Sequence, residues 1–186
     1  MKKNILVLSS PSGGGKSTVA RFILENFKNF TFSISATTRQ PRPGELKDIH
    51  YYFLSRDEFR KKIDKGELIE YEEIFGNYYG TLKSSTDSIL ETGKYLLFDV
   101  DVKGALSIKK HFPETSVLLF IAPPSMEVLE TRLRNRNTEN EEQLQKRLER
   151  SRDEMEYIGL FDHRIINNEL EETLTEVDAI VNREFL

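Results

Sequence analysis

The chain has 186 residues, enough for one domain with a sizeable core, and its formal net charge of −4 argues against a general nucleic-acid-binding surface. It contains no cysteine, which excludes disulfides and thiolate metal sites, and its three histidines are too far apart in sequence to suggest a metal-ligand cluster. No apolar run approaches the roughly 20 residues of a membrane helix, and the N-terminus leads into a predicted strand too short for a signal peptide, so we expect a cytoplasmic protein with neither membrane nor nucleic-acid partners.

A phosphate-binding loop is predicted between the first strand and the first helix. Residues 4–9 form an apolar run typical of a buried strand, and apolar residues from Val19 to Phe27 recur at helical spacing. Between them lies the sequence SSPSGGGKST, residues 9–18. Its glycines let successive backbone N–H groups point into one concavity, and the following helix adds its positive end. Lys16 is then expected to reach the terminal phosphates of a nucleotide, and the Ser17 hydroxyl to ligate Mg²⁺.

Ser10 departs from the pattern G-x-x-x-x-G-K-[ST], which has a glycine at that position. If the position needs a positive φ, a serine there costs about 1–2 kcal/mol of strain. If it does not, Ser10 simply extends the end of the strand. The core of the loop is intact, so nucleotide binding is predicted in either case.

Two segments interrupt an alternation of strands and helices. Further buried strands are predicted at 94–100 and 116–122, with a weaker one at 164–167, and the helical patterns that follow them are typical of a parallel α/β sheet. Residues 33–92 are instead rich in aromatics, short strand signals and turns, and residues 125–157 are helical and highly charged. One core with two projecting parts is the simplest organisation.

A phosphate loop by itself leaves GTPases, ATPases, motors and small-molecule kinases open. The Asn-Lys-x-Asp motif with which GTPases usually read guanine is absent from the sequence. Asp101–Gly104 matches their D-x-x-G motif, but two fixed positions in four are common by chance. The discriminating segment is TTRQPRPGE, residues 37–45.

This segment resembles the GMP-phosphate motif of the guanylate kinases, and the resemblance runs nearly end to end. Further matches are GNYYGT at 76–81, the Asp-x-Asp-x-x-Gly segment at 99–104, IAPPS at 121–125 and RLRNRNTE at 132–139. The resemblance implies an α/β fold: a P-loop core with a parallel sheet flanked by helices, a small mixed α+β GMP-binding lobe and a helical lid. The corresponding residues are 1–32, 93–124 and 158–186 for the core, 33–92 for the inserted lobe and 125–157 for the lid.

The implied GMP site has a phosphate end and a base end. Arg39 and Arg42, three apart with a proline between them, would present two guanidinium forks to a phosphate. Tyr51 and Tyr79 would add hydroxyl donors. Guanine offers an N1–H and an N2 amino group side by side, which calls for a carboxylate acceptor, and the resemblance implies Glu70 for this role. The implied pocket is completed by Ser35, Thr81 and Asp101. Taken alone, the basic turn is also compatible with a solvated surface.

The implied ATP site is built on the phosphate loop. Its contacts are expected from Ser12, Gly13, Gly14, Gly15, Lys16, Ser17 and Thr18, with Asn167 near the adenine. Asp99 stands at the tip of an apolar strand, and we interpret it as a partner of Mg²⁺ through water, together with Ser17. The alternative for Asp99 is a helix N-cap.

The lid arginines are divided by the resemblance. The catalytic residues that it implies are Lys16, Arg132, Arg136 and Arg147, the arginines reaching the transferring phosphate. Most charged helical faces are simply solvated. The arginines left for the solvated surface are Arg134, Arg150 and Arg152.

The implied reaction is ATP + GMP → ADP + GDP with Mg²⁺ as cofactor, a step of purine nucleotide metabolism, with ATP and GMP as the partners. One alternative is a catalytically silent interaction domain of the same fold. The intact Gly15-Lys16-Ser17 argues against this alternative. Another is a kinase for AMP or a pyrimidine monophosphate, against which Glu70 and Asp101 speak. The oligomeric state is not predicted.

Overall fold

The computed structural model describes residues 2–74, 76–135 and 141–186. In these ranges the strands are β1 (Ile5–Ser9), β2 (Phe30–Phe32), β3 (Ala36–Thr37), β4 (Tyr52–Phe53), β5 (Leu68–Ile74), β6 (Asn77–Leu82), β7 (Tyr95–Asp99), β8 (Ser116–Ala122) and β9 (His163–Ile166). The helices are α1 (Lys16–Asn26), α2 (Arg56–Asp64), α3 (Lys83–Glu91), α4 (Val102–His111), α5 (Met126–Arg134), α6 (Glu141–Glu156) and α7 (Leu170–Phe185).

The central sheet is parallel and has the order β2-β7-β1-β8-β9. The three strong strand predictions and the weaker one near residue 165 are confirmed, whereas β2 was not predicted. All seven residues of β8 and all five of β1 are buried. This is typical of a parallel sheet with helices on both faces, because each strand then has no solvent-facing side.

Alternate residues of the strands serve the two faces of this sheet. Leu6 and Leu8 pack with apolar residues of α1 and α7 into one cluster. Ile5 and Val7 point to the opposite face, where they pack with residues of α4. The period of two along the strand therefore divides the core into two layers.

The second sheet is mixed and lies in the inserted lobe. Its order is β4-β3-β6-β5, with β3 and β4 parallel and the other two pairs antiparallel. Phe59 of α2 is fully buried beneath it and packs with Ala36 and Leu68. A capping box between Ser55 and Glu58 starts α2 and satisfies its first N–H groups. The lobe thus has a small core of its own.

The segment predicted as a lid, 125–157, contains α5 and α6, which pack through Leu129, Leu133, Leu144 and Leu148. Ser125 caps the start of α5 by accepting from the backbone N–H of Val128. Among the helices described, none combines the length and the apolar character that crossing a bilayer requires.

Candidate nucleotide site

The loop between β1 and α1 has the backbone that a phosphate site requires. Gly13 and Gly15 have φ of 96° and 103°, in the left-handed region that side chains rarely adopt. Among the described non-glycine residues, a positive φ occurs at Asp48 and not at Ser10. Ser10 is therefore unstrained and continues the end of β1, the second of the two alternatives. Gly15 is the N-cap of α1, so the positive end of the helix faces the loop.

Lys16 joins the loop to the neighbouring strand. Its Nζ lies 2.6 Å from Asp99 Oδ1 and donates a hydrogen bond to the carbonyl of Val100 at 2.8 Å. The parallel pairing of β1 and β7 places Leu8 beside Asp99, which brings the two strand ends together. Asp99 does not cap a helix; Asp101 caps α4, accepting from the N–H of Gly104 at 2.8 Å. The N-cap alternative for Asp99 was wrong.

The side chain of Asn167 supports the phosphate loop through a hydrogen bond. It is 7% exposed, and its Nδ2 donates to the carbonyl of Gly14 at 2.8 Å while its Oδ1 accepts from Thr173. A Cβ on Gly15 would collide with the same amide nitrogen. The backbone carbonyl of Asn167 accepts a hydrogen bond from Arg132 Nη2 at 2.9 Å. The residue predicted near the adenine thus supports the phosphate loop through its side chain.

A cavity of about 370 Å³ lies between the loop and the lid. The predicted residues in its wall are Ser12, Gly13, Gly15, Lys16, Ser17, Thr18, Asp101 and Arg147. Arg147 Nη1 donates to the hydroxyl of Ser12 at 3.1 Å, so the lid helix reaches the phosphate loop directly. Arg136 lies outside the described residues. The volume is in the range of small-molecule sites.

A second cavity, of about 200 Å³, adjoins the first at Lys16 and Asp101. The predicted GMP-site residues in its wall are Ser35, Tyr51, Glu70, Tyr79 and Asp101. Thr81 takes part through Glu70, because its hydroxyl donates to Glu70 Oε1 at 2.6 Å. Residues that are up to 66 positions apart in sequence are therefore brought to one pocket.

One carboxyl group of this pocket is strongly perturbed. The pKa of Glu70 is raised to about 7, mainly by burial; the hydrogen bond from Thr81 opposes the shift and the nearby charge of Asp101 adds to it. Burial also raises the pKa of Tyr51. A perturbed carboxyl group lining a cavity is the signature of a functional site.

The two arginines of the basic turn lie in different surroundings. Arg39 pairs with both oxygens of Glu45, at 2.9 and 2.8 Å, and its guanidinium lies 5.2 Å from the ring centre of Tyr51. The Arg39 guanidinium and the N–H of Arg42 lower the pKa of Glu45 to about 2. The Arg42 side chain is exposed, and the backbone N–H is the group that contacts Glu45. The structure thus places Arg39 beside Tyr51 and leaves Arg42 at the surface of the turn.

The sequence interpretation missed three further charged residues that reach the site. Arg150, expected on the solvated surface, pairs with Glu72, Asp101 and Glu154, so that expectation was wrong. Arg150 and Glu154 also line the cavity beside the phosphate loop. Burial raises the pKa of Glu154. A signal existed, because positions 147, 150 and 154 fall on one face of a helix. Arg134 and Arg152 are exposed, as predicted.

Comparisons with known proteins agree with this geometry. The family described as Guanylate kinase matches residues 2–184. The chain is 51% identical over 177 residues to a guanylate kinase of Chlorobium chlorochromatii, covering 95% of this chain and 93% of the relative. It is 48% identical over 184 residues to one of Chlorobaculum tepidum, covering 98% and 93%. A crystal structure of guanylate kinase from Anaplasma phagocytophilum superposes with a TM-score of 0.79 at 35% identity, over 100% of this chain and 87% of that one. On the evidence of its loop, its two sheets and these relatives, the chain belongs to the guanylate kinase family.

Proposed function

We propose that this protein transfers the γ-phosphate of ATP to GMP in a Mg²⁺-dependent reaction that yields ADP and GDP. The observation that carries the proposal is the position of Lys16. This side chain lies in the walls of both the phosphate-loop cavity and the cavity lined by Glu70 and Asp101. A direct transfer requires this adjacency of donor phosphate and acceptor.

On the donor side, the amides of residues 12–18 and the Lys16 ammonium would hold the phosphates. The glycine backbone and the start of α1 supply N–H donors and a positive helix end for an anion. The Asn167 carbonyl marks the position at which we expect the adenine, with Arg132 beside it.

The residues at the loop fit a magnesium ion. Ser17 and Asp99 both line a further cavity beside α1, and oxygen atoms from one or two side chains, completed by phosphates and water, are the environment that Mg²⁺ prefers. When bound with ATP, the ion would neutralise phosphate charge. Ser17 would hold it directly and Asp99 through water. Asp99, now paired with Lys16, would at the same time orient that ammonium.

On the acceptor side, Glu70 and Asp101 would accept from the N1–H and N2 amino group of guanine. Thr81 orients Glu70, and Ser35 lies in the same wall. The GMP phosphate would lie toward Tyr51 and Tyr79 in the same wall, with Arg39 beside Tyr51 and Arg42 on the adjoining turn. Adenine presents no such donor pair, so this arrangement favours guanine over adenine.

Catalysis would rest on positioning and charge rather than on a general base. The second pKa of a phosphate monoester is about 6, so the GMP oxygen is already ionised at neutral pH. Arg132, Arg136 and Arg147 of the lid would stabilise charge on the transferring group. The lid would also exclude water, which would otherwise accept the phosphoryl group.

The test is an ADP-release assay with ATP and Mg²⁺ that compares GMP with AMP, CMP, UMP and dTMP. We expect fast release with GMP alone. Replacing Lys16 with Met should lower the rate by more than tenfold, because the ammonium is the charge nearest the donor phosphates. Lys110→Met, which removes an exposed lysine of α4, is the matched control and should keep the wild-type rate. Binding of GMP without release by any monophosphate would favour the silent interaction domain instead.

A further inference from the structure

Arg150 makes an unusual set of contacts for a side chain on a charged helix. Its Nη2 donates to Asp101 Oδ2 at 2.8 Å and to Glu72 Oε2 at 3.0 Å. Its Nε donates to Glu154 Oε1 at 2.9 Å, one turn further along α6. One guanidinium therefore holds three carboxylates.

These partners belong to different parts of the molecule. Arg150 and Glu154 lie on α6 of the lid, Glu72 lies on β5 of the inserted lobe, and Asp101 caps α4 in the core. The guanidinium is thus the point at which all three parts meet. The planar fork of arginine suits such a junction, because its donors are fixed relative to one another.

The contact fixes the orientation of Asp101. Oδ1 accepts from the N–H of Gly104 and Oδ2 from Arg150, so each carboxylate oxygen has one fixed donor and a lone pair left over. The Asp101 side chain is 14% exposed, that of Glu72 23% and that of Arg150 30%. Pairs this sheltered are screened less than surface ion pairs. Without the guanidinium, Asp101 and Glu72 would face each other as like charges.

The same helix also contacts the phosphate loop. Arg147, three residues before Arg150, donates to Ser12. A ligand at the phosphate loop that fixes the position of Arg147 would also fix the position of Arg150 beside Asp101, because the two residues are separated by about one stiff turn of α6.

We propose that Arg150 is a positioning residue that orients Asp101 for guanine and, through α6, makes the affinity for GMP depend on occupancy of the ATP site. The inference rests on the proposed function, since it takes the pocket at Glu70 and Asp101 to be the guanine site. By linkage, the same factor must then connect GMP occupancy to the affinity for ATP.

The test is calorimetric titration of GMP with and without AMP-PNP and Mg²⁺, on the whole protein. The wild type is expected to bind GMP at least about fivefold more tightly when AMP-PNP is present. Arg150→Gln should reduce this gain to less than about twofold and raise KM for GMP about tenfold, with kcat within about threefold of wild type. Arg150→Lys keeps the charge but loses the fork, and should retain part of the gain. Arg152→Gln removes an exposed arginine of the same helix and should behave as wild type.

Four results would overturn the proposal. Arg150→Gln could keep the full increase in GMP affinity that AMP-PNP produces. It could also bind GMP more tightly than wild type, which would mean that the Arg150–Asp101 ion pair competes with guanine. In the absence of GMP, the variant could lose AMP-PNP affinity as strongly as it loses GMP affinity, which would mean that the whole lid is disturbed. A wild type that binds GMP equally well with and without AMP-PNP would remove the coupling. Failure of the proposed function is distinguishable from these results, because wild-type protein would then release no ADP with GMP in the assay above, whatever Arg150→Gln does to nucleotide binding.

Discussion

At the residue scale, the pocket that we propose for guanine contains a carboxylic acid that is hard to ionise. Burial raises the pKa of Glu70 to about 7, whereas an unfolded chain has a glutamate pKa near 4.3. The folded protein therefore binds the Glu70 proton more tightly than the unfolded chain does. Its contribution to stability is present below about pH 4 and is lost as the pH rises through 7. Two N–H donors from guanine would favour the ionised form of Glu70, so GMP binding would offset the free-energy cost of burying its charge.

We predict that Glu70→Gln becomes more stable relative to wild type as the pH rises. The difference in the free energy of unfolding should move in favour of the variant by roughly 1–3 kcal/mol between pH 5 and pH 8, because glutamine has no charge to bury. KM for GMP should rise at least about tenfold, since the amide offers one acceptor and sets an N–H against the guanine donors. Urea unfolding at both pH values and initial rates measure the two effects.

Glu91→Gln is the control for this substitution, because Glu91 is exposed at the end of α3. It should change neither the pH dependence nor KM. A stability difference for Glu70→Gln that is the same at pH 5 and pH 8 would show that Glu70 is ionised without penalty in the folded protein.

At the element scale, the first turn of α4 is shaped around two carboxylates. A Cβ on Gly104 would lie 3.0 Å from Asp101 Oδ1 and 3.0 Å from Glu70 Oε2. The absence of a side chain at this position lets β5 and the helix start bring their carboxylates together. The first turn of α4 thus contains a glycine, which lowers helix stability but leaves room for the two carboxylates of the pocket.

Gly104→Ala is expected to raise KM for GMP about three- to tenfold and to leave KM for ATP within about twofold. The methyl group pushes Glu70 and Asp101 apart, but alanine is about 1 kcal/mol better than glycine in a helix, so the stability loss from crowding is largely offset. Steady-state kinetics with each substrate varied, and a thermal melt, measure these effects. Gly159→Ala, where no atom lies within 4 Å of the added methyl, is the matched control. Equal KM values for GMP in all three proteins would contradict the prediction.

At the scale of the whole molecule, the two proposed substrate sites are supported by different cores. The inserted lobe packs around Phe59, which is fully buried and stacks on Tyr78 with ring centres 5.3 Å apart. The parallel sheet that carries the phosphate loop packs around separate clusters, one of which contains Phe185. Damage to the small core of the inserted lobe should therefore affect GMP binding more than ATP binding.

We predict that Phe59→Ala weakens GMP binding at least about tenfold and leaves the affinity for AMP-PNP within about twofold. Such a truncation costs about 3–5 kcal/mol, and the cost falls on the lobe that carries Glu70 and Tyr79. Calorimetric titration with each nucleotide separates the two effects. Phe185→Ala, in the large core, should lower overall stability by a similar amount without changing the ratio of the two affinities. Parallel loss of both affinities in Phe59→Ala would mean that the two cores unfold as one unit.

Particular elements show where prediction from the sequence succeeds and where it fails. The strands β1, β7 and β8 were predicted because each is a continuous apolar run, a purely local signal. β2 was missed because it has three residues, and its burial comes from pairing with β7 and from aromatic neighbours such as Tyr95. Arg150 was misplaced because a charged helix pattern does not show which of its faces meets another part of the chain.

The sequence by itself determined the phosphate loop, since strand, glycines, lysine and helix are contiguous and their conformation follows from local sterics and helix geometry. The resemblance carried by its motifs was enough to predict the family and the α/β fold, and it supplied the residues proposed for both sites. Only the tertiary structure decided that Lys16 pairs with Asp99, that Glu70 is hard to ionise and that Arg150 joins lid, lobe and core. These are properties of side chains far apart in sequence, and their burial, charge environment and partners exist only once packing has brought them together.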